Sequence, residues 1–250
     1  MRISYSAIED YNKCSQRWYY RKLGWQELEK PDNLALGVAF HAAIAAYFKP
    51  GGSPTKVFDE ILRKEKKGHP GMDAFATGNV LLTKFLNDPV VLRLKNVKTE
   101  VRFERELGGG DQFVGVIDCI AELDGKTVLI DWKSSSSSYD PEFYQTFGEQ
   151  LTAYKFLTDL TNTKIDLFGY GVIGKNNRMR GEDPQWVWVT RSPEQVDEFE
   201  KKVRIVLERM KKEEHFKQPD MGVCMRYKEP CPFLQLCQNK EPKGIYKSEF

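Results

Sequence analysis

The sequence predicts an α/β core with a helical N-terminal elaboration, and three observations carry that expectation. The elements run as helices, then three strands, a helix, strands and a helix, an order that suits a sheet covered by helices. The stretch VGVIDCIAELDGKTVLIDWK, from Val114 to Lys133, is broken by Asp124-Gly125. That dipeptide is a strong β-hairpin signal, because a two-residue type I′ turn needs positive φ at both positions. The run Thr127-Val128-Leu129-Ile130 is apolar on both faces, as in a buried central strand.

Taken in order, Ser6-Ala7-Ile8-Glu9 reads as a capping box opening a short helix, and an aromatic-rich segment from Arg17 to Trp25 follows Cys14. Leu34 to Phe48 is rich in alanine and predicts a mostly buried helix containing His41. Helices are expected over Val57 to Lys67 and Asp73 to Asn87, interrupted by Gly68-His69-Pro70-Gly71. Val97 to Leu107 reads as a strand closed by the Gly108-Gly109-Gly110-Asp111 turn, with the hairpin next and then the serine loop Ser134 to Ser138. Pro141 to Leu160 predicts one helix with proline in its first turn. Ile165 to Ile173 and Trp186 to Thr190 are strand-like, and Ser192 caps a long charged helix reaching Glu214. From Pro219 the tail shows little periodicity.

The chain has 250 residues and a net charge of +2, enough for one substantial core but too balanced for a global positive field. Any nucleic-acid groove must therefore be a local arrangement. No window approaches a membrane span, and the N-terminal residues lack the apolar core of a signal peptide. These features predict a soluble, intracellular (cytoplasmic) protein. Five cysteines in such a setting suggest metal binding in preference to a disulfide framework.

Strand periodicity places Asp131 and Lys133 on one face and Trp132 on the other. On the partner strand Val114, Val116 and Asp118 share a face, so an apolar row ends in a carboxylate. An Asp-Lys pair on a strand can be a surface ion pair of little worth. At the end of a buried strand, however, charges are costly unless paired or bound to metal. The arrangement therefore points to a metal-dependent phosphodiesterase centre. Gln150 and Tyr154 lie four apart and share a helix face. They read either as groups reaching the lysine or a phosphate, or as a core tyrosine beside a solvated glutamine. His41, beside Ala42, Ala43 and Ala45, is either a core histidine or a ligand. Cys119 reads as a small buried strand residue, whereas Cys224, Cys231 and Cys237 cluster and need a fourth ligand.

Asp118, Asp131-Trp132-Lys133, Gln150 with Tyr154, and the preceding His41 together resemble the PD-(D/E)XK nuclease superfamily. Within it the chain resembles the RecB/AddB-like branch of CRISPR-associated nucleases and stand-alone phage exonucleases. The run Ser4-Tyr5-Ser6, Tyr11, Cys14 and Trp18-Tyr19-Tyr20 is similar to the opening of that branch. The resemblance implies a restriction-endonuclease-like fold, a central mixed sheet flanked by helices, in one nuclease domain over 1–250. Its parts would be a helical portion over 1–95, a core over 96–215 and a cysteine-rich tail over 216–250.

The resemblance also implies roles. His41, Asp118, Asp131 and the backbone carbonyl of Trp132 would hold Mg²⁺ or Mn²⁺, Lys133 would act on the attacking water or the developing charge, and Gln150 and Tyr154 would position Lys133 and the strand. Glu100, in a strand charged along its length, reads as structural. Cys14 would join Cys224, Cys231 and Cys237 around a [4Fe-4S] cluster. The alternative is zinc on four cysteines, or with His215 replacing Cys14. The implied activity is exonucleolytic hydrolysis of DNA in phage or mobile-element recombination and repair. No GxxxxGK[ST] loop is present to drive translocation. Alternatives are trimming of DNA before integration in a CRISPR system, or an inactive DNA-binding subunit on the same fold. Implied partners are DNA ends, recombinase or integrase subunits, and a second copy of the chain, with no membrane.

Overall fold

The computed structural model describes all residues except 29, 69, 160, 162, 177–182, 218–219, 227–228 and 249–250. His69, Leu160 and Pro219, expected in a loop, at a helix end and at the start of the tail, therefore lie outside the described residues. The chain opens with β1 (Arg2–Ser4), α1 (Tyr5–Lys13), α2 (Ser15–Lys22) and β2 (Trp25–Glu27). Three helices follow, α3 (Asp32–Tyr47), α4 (Pro54–Glu65) and α5 (Met72–Leu86), then strands β3 (Lys95–Gly108), β4 (Asp111–Leu123) and β5 (Lys126–Ser135). Next come α6 (Pro141–Phe147), α7 (Glu149–Thr158), β6 (Leu167–Gly174), β7 (Gln185–Val189) and α8 (Pro193–Lys211). Short elements close the chain: α9 (Met221–Cys224), β8 (Met225–Arg226), β9 (Glu229–Pro230), α10 (Leu234–Cys237) and β10 (Ile245–Lys247).

Among the described residues the main sheet is mixed and runs β1-β4-β5-β6-β7, with β3 also paired to β4. The expected α/β class with a central mixed sheet is what the chain forms. Two compact units divide it: Met1–Glu29, Arg105–Val114 and Glu200–Phe250 form the first, and Lys30–Glu104 with Gly115–Phe199 form the second. No helix among the described residues is long and apolar enough to cross a membrane.

In the first unit, residues 2–4 pair in parallel with β4, from Arg2↔Gln112 to Ser4↔Val114. The helix therefore starts directly after Ser4, whose Oγ accepts the Ala7 N–H at 3.3 Å. Ser6, the cap expected from sequence, instead sits in the first turn. The difference arises because β1 leaves no room for two further extended residues. At the start of α8, in the second unit, the expected Ser192 cap forms and is reciprocated: Ser192 Oγ accepts the Gln195 N–H, and Gln195 Oε1 accepts the Ser192 N–H at 3.0 Å. The tail, aperiodic in sequence, contributes β10, which pairs antiparallel with β2 from Ile245↔Glu27 to Lys247↔Trp25.

The second unit is built on the hairpin. Asp124 and Gly125 have φ of 51° and 78°, the type I′ signature, and the register runs from Leu123↔Lys126 to Cys119↔Ile130. β5 is central and runs parallel to β6, which pairs antiparallel with β7. Val128 to Trp132 are accordingly buried. Trp132 packs edge-on against Phe85 of α5 and Trp186 of β7, with ring centroids 5.2 and 5.4 Å apart. A Cβ on Gly171 would lie 2.5 Å from the Trp132 ring, so the indole occupies space that only glycine leaves open.

The single helix expected over Pro141 to Leu160 is two. Arg191, buried and distant in sequence, donates from Nη2 to the carbonyls of Tyr144 and Gly148 at 2.8 and 2.9 Å, and from Nη1 to that of Gln145 at 2.9 Å. It takes up the C-terminal carbonyls of α6, and a Cβ at Gly148 would meet the Tyr144 carbonyl at 2.5 Å. The chain breaks at Gly148, and Gln150 and Tyr154 consequently lie on their own short helix.

Candidate active site

Asp131 is 1% exposed near the end of the central strand, and its cost of burial is met by three neighbours. Its Oδ1 accepts from Gln150 Nε2 at 2.7 Å and from the Tyr154 hydroxyl at 3.1 Å. Its Oδ2 lies 2.5 Å from Lys133 Nζ yet accepts no well-aligned hydrogen bond. Lys133 Nζ in turn donates to Gln150 Oε1 at 2.9 Å, and Gln150 Nε2 lies 3.0 Å from the Tyr154 hydroxyl. These four side chains form one network, as the spacing of Gln150 and Tyr154 on a common helix face suggested.

Asp118 occupies the neighbouring strand, where the β4–β5 ladder stops after Cys119↔Ile130. Its carboxylate takes over the next pairing, accepting the Trp132 N–H on Oδ2 at 2.9 Å. The Val114–Val116–Asp118 face is open and not an apolar core row: Val116 is exposed, while Phe113, Ile117 and Cys119 on the opposite face are buried. His41 of α3 brings Nδ1 to 3.4 Å from Asp118 Oδ2.

Glu100 completes this second group. One donor atom each from His41, Glu100 and Asp118 lies within 4.8 Å of the others. Glu100 read as structural because its strand is charged along its length. In the structure its backbone is left-handed, with φ of 53°, and β3 keeps its alternation of more and less exposed residues through it. Of the expected ligands, His41 and Asp118 are therefore brought together with Glu100. The Asp131 carboxylate belongs to the Lys133–Gln150–Tyr154 network.

The electrostatics are those of a site lacking counter-charge. Desolvation raises the Asp131 pKa and the nearby Asp118 raises it further, although Lys133 opposes both. Glu100 is raised by desolvation and then by Asp118. Burial disfavours the imidazolium of His41, but Asp118 and Asp131 outweigh that and hold its pKa above the ordinary value. Tyr154 is pushed well up by burial and by Asp131, so its hydroxyl stays a proton donor. Crowded carboxylates, one imidazole and a carboxylate oxygen without an aligned donor fit a hard divalent cation such as Mg²⁺ or Mn²⁺.

The cysteines lie in the first unit, except Cys119, which is fully buried in β4. Cys14, Cys224, Cys231 and Cys237 all line one cavity of about 220 Å³. Arg17 lines it too, with a buried Nε that has no hydrogen-bond partner. Burial raises the thiol pKa of Cys231 and of Cys237. His215 is engaged elsewhere: its ring stacks on Tyr19 at 3.6 Å, and its Nδ1 lies 2.6 Å from the Glu213 carbonyl.

The comparisons with known proteins can be set against this geometry. A crystal structure from Eubacterium rectale, of the protein named "Putative exonuclease", superposes with a TM-score of 0.55 over 100% of this chain and 90% of that one, at 14% identity. That is a likeness of fold. The crystal structure of SSO0001 aligns over 82% of this chain and 76% of that one at 18% identity, with a TM-score of 0.35. No curated protein matches the sequence. The family model of the PD-(D/E)XK nuclease superfamily matches residues 2–238, a span that contains both the Asp131–Lys133 network and the His41–Glu100–Asp118 group. The chain belongs to the PD-(D/E)XK nuclease superfamily.

Proposed function

We propose that the protein is a divalent-metal-dependent deoxyribonuclease that degrades DNA from an end. The observation that carries the reading is the adjacency, on two neighbouring strands, of a cation-binding group and a lysine held by Asp131 and Gln150. His41, Glu100 and Asp118 would hold the cation, with Asp131 and the Trp132 carbonyl as the further ligands implied by family resemblance. A bound divalent ion would neutralise charge on the scissile phosphate and acidify a water.

The chain's own residues supply the rest. Lys133 directs its ammonium toward the phosphate or the attacking water, where a preorganised donor stabilises developing charge. Gln150 bridges Lys133 and Asp131, fixing both, and Tyr154 donates to Asp131 from the same helix face. The Trp132 N–H orients Asp118, as groups behind metal ligands commonly do. Action from ends is supported by the name of the Eubacterium rectale protein of like fold. The RecB/AddB-like resemblance supports a setting in DNA recombination and repair. Every position of the site carries a chemically competent residue, which favours an active enzyme over an inactive DNA-binding subunit.

The first unit would carry a [4Fe-4S] cluster on Cys14, Cys224, Cys231 and Cys237, as a structural staple. In support, all four line one cavity. The unpartnered Arg17 Nε suits an anionic group.

The test is digestion of linear DNA with Mg²⁺ or Mn²⁺. The wild-type protein should release nucleotides, and Asp131→Ala and Lys133→Ala should each lose at least about 100-fold in rate. Undiminished cleavage by either variant would overturn the assignment.

A further inference from the structure

A cavity of about 950 Å³ opens between α3 and the strands β3 and β4, and His41, Glu100 and Asp118 are among the residues that line it. Whatever fills it is therefore continuous with whatever is held at the cation group. Its walls are unlike those expected for a phosphate backbone. Leu34 and Val38 of α3, Val57 of α4 and Val116 of β4 form apolar sides, and Ala42 and Ala45 keep the α3 side low. Leu34 is 51% exposed and Val116 is 42% exposed, so two large apolar side chains face open space next to a charged centre. Among the described residues that line the cavity, Lys49 is the only lysine or arginine.

A duplex presents phosphates outward, and its affinity for protein comes largely from lysine and arginine neutralising them. One lysine in a mostly apolar cavity gains little in that way. Unpaired bases, by contrast, expose flat faces that can pack between apolar side chains. The volume lies at the upper end of the roughly 300–1,000 Å³ typical of small-molecule sites, room for a few bases of one strand and not for a double helix.

We infer that this cavity takes the unpaired terminal bases of a DNA strand, making the protein selective for single-stranded ends. Lys49 would sit on a phosphate between those bases. The inference rests on the nuclease reading above and extends it to substrate class.

Gly37 provides a clean probe. It lines the cavity, and a Cβ added there meets nothing within 4 Å, so the Gly37→Phe side chain starts in open space, in a helix interior that glycine does not favour. Leu34→Asp, at an exposed position, charges the wall instead. The experiment compares three labelled DNAs in the presence of Mn²⁺: a single strand, the same strand with abasic residues at its last three positions at both ends, and a blunt duplex. The wild-type rate on the intact strand should exceed the other two at least tenfold. Gly37→Phe and Leu34→Asp, with thermal melts confirming that they fold, should lose at least tenfold on the intact strand and change little on the abasic one. Equal wild-type rates on all three DNAs would overturn the inference, as would variants that cut the intact strand at the wild-type rate. Metal-free fluorescence anisotropy on the same strands separates the two readings. If nothing is cut, the nuclease reading fails. Tighter binding of the intact than of the abasic strand would then still support the cavity's role, and equal binding would overturn it.

Discussion

Lys133 and Gln150 are joined by a hydrogen bond of 2.9 Å from Nζ to Oε1. The same amide donates to Asp131 through its nitrogen, so one side chain sets the spacing between the lysine and its carboxylate. Gln150→Leu should therefore lower kcat by roughly 10–100-fold, as loss of supporting hydrogen bonds does around metal sites, with little change in KM. Gln150→Glu should do no better. Its carboxylate can accept from Lys133 but cannot donate to Asp131, and the second contact becomes a like-charge one. Steady-state kinetics on a single-stranded oligonucleotide checks both, and wild-type kcat in Gln150→Leu would remove Gln150 from the site.

Glu100 and Asp118 repel one another in the absence of a cation, and the two largest influences on the Glu100 pKa, desolvation and Asp118, oppose its charge against smaller favourable ones from His41 and Lys49. Glu100→Gln should consequently melt slightly higher than wild type without metal. The gain should stay under about 1 kcal/mol because the group is exposed and screened by solvent. With Mn²⁺ or Mg²⁺ the order should reverse: the wild type gains stability by binding the ion, while the variant gains less. Thermal melts with and without metal decide it, and equal metal-induced shifts would exclude Glu100 as a ligand.

Gly171 lies beneath the Trp132 indole, with no space for a methyl group. Gly171→Ala should destabilise the second unit by about 1–3 kcal/mol, the usual cost of overpacking a filled core. Urea denaturation followed by tryptophan fluorescence measures this. Trp132 stands between Asp131 and Lys133 in the strand, so activity should fall under conditions where the variant is still folded.

Cys14 and Cys119 are both buried, yet only Cys14 lines the cavity shared with Cys224, Cys231 and Cys237. Protein purified without oxygen should be brown and contain iron. Cys14→Ser should lose the iron and melt lower, whereas Cys119→Ala should keep its iron content. Colourless wild-type protein loaded with zinc would reject the cluster.

Much of this site was legible in the chain because its centre is local. A hairpin with Asp124-Gly125 at its tip places Asp131 and Lys133 on one face of a buried strand, and helical spacing places Gln150 beside Tyr154. These depend on turn geometry and on periods of 2 and 3.6, which a sequence carries openly. The expectation that Cys14 joins three distant cysteines rests on resemblance, and the four line one cavity.

The sequence by itself determined the α/β class, the hairpin and the chemical pairing of Asp131 with Lys133, since each follows from side-chain alternation and turn chemistry within about twenty residues. Only the tertiary structure decided that Glu100 joins His41 and Asp118, and that Gln150 stands on a separate helix started by a break at Gly148. The first depends on a helix and two strands from separate parts of the chain meeting at one place, and the second on Arg191 binding carbonyls more than forty residues earlier in the chain. Both are contacts between distant segments, whose energies no local period encodes.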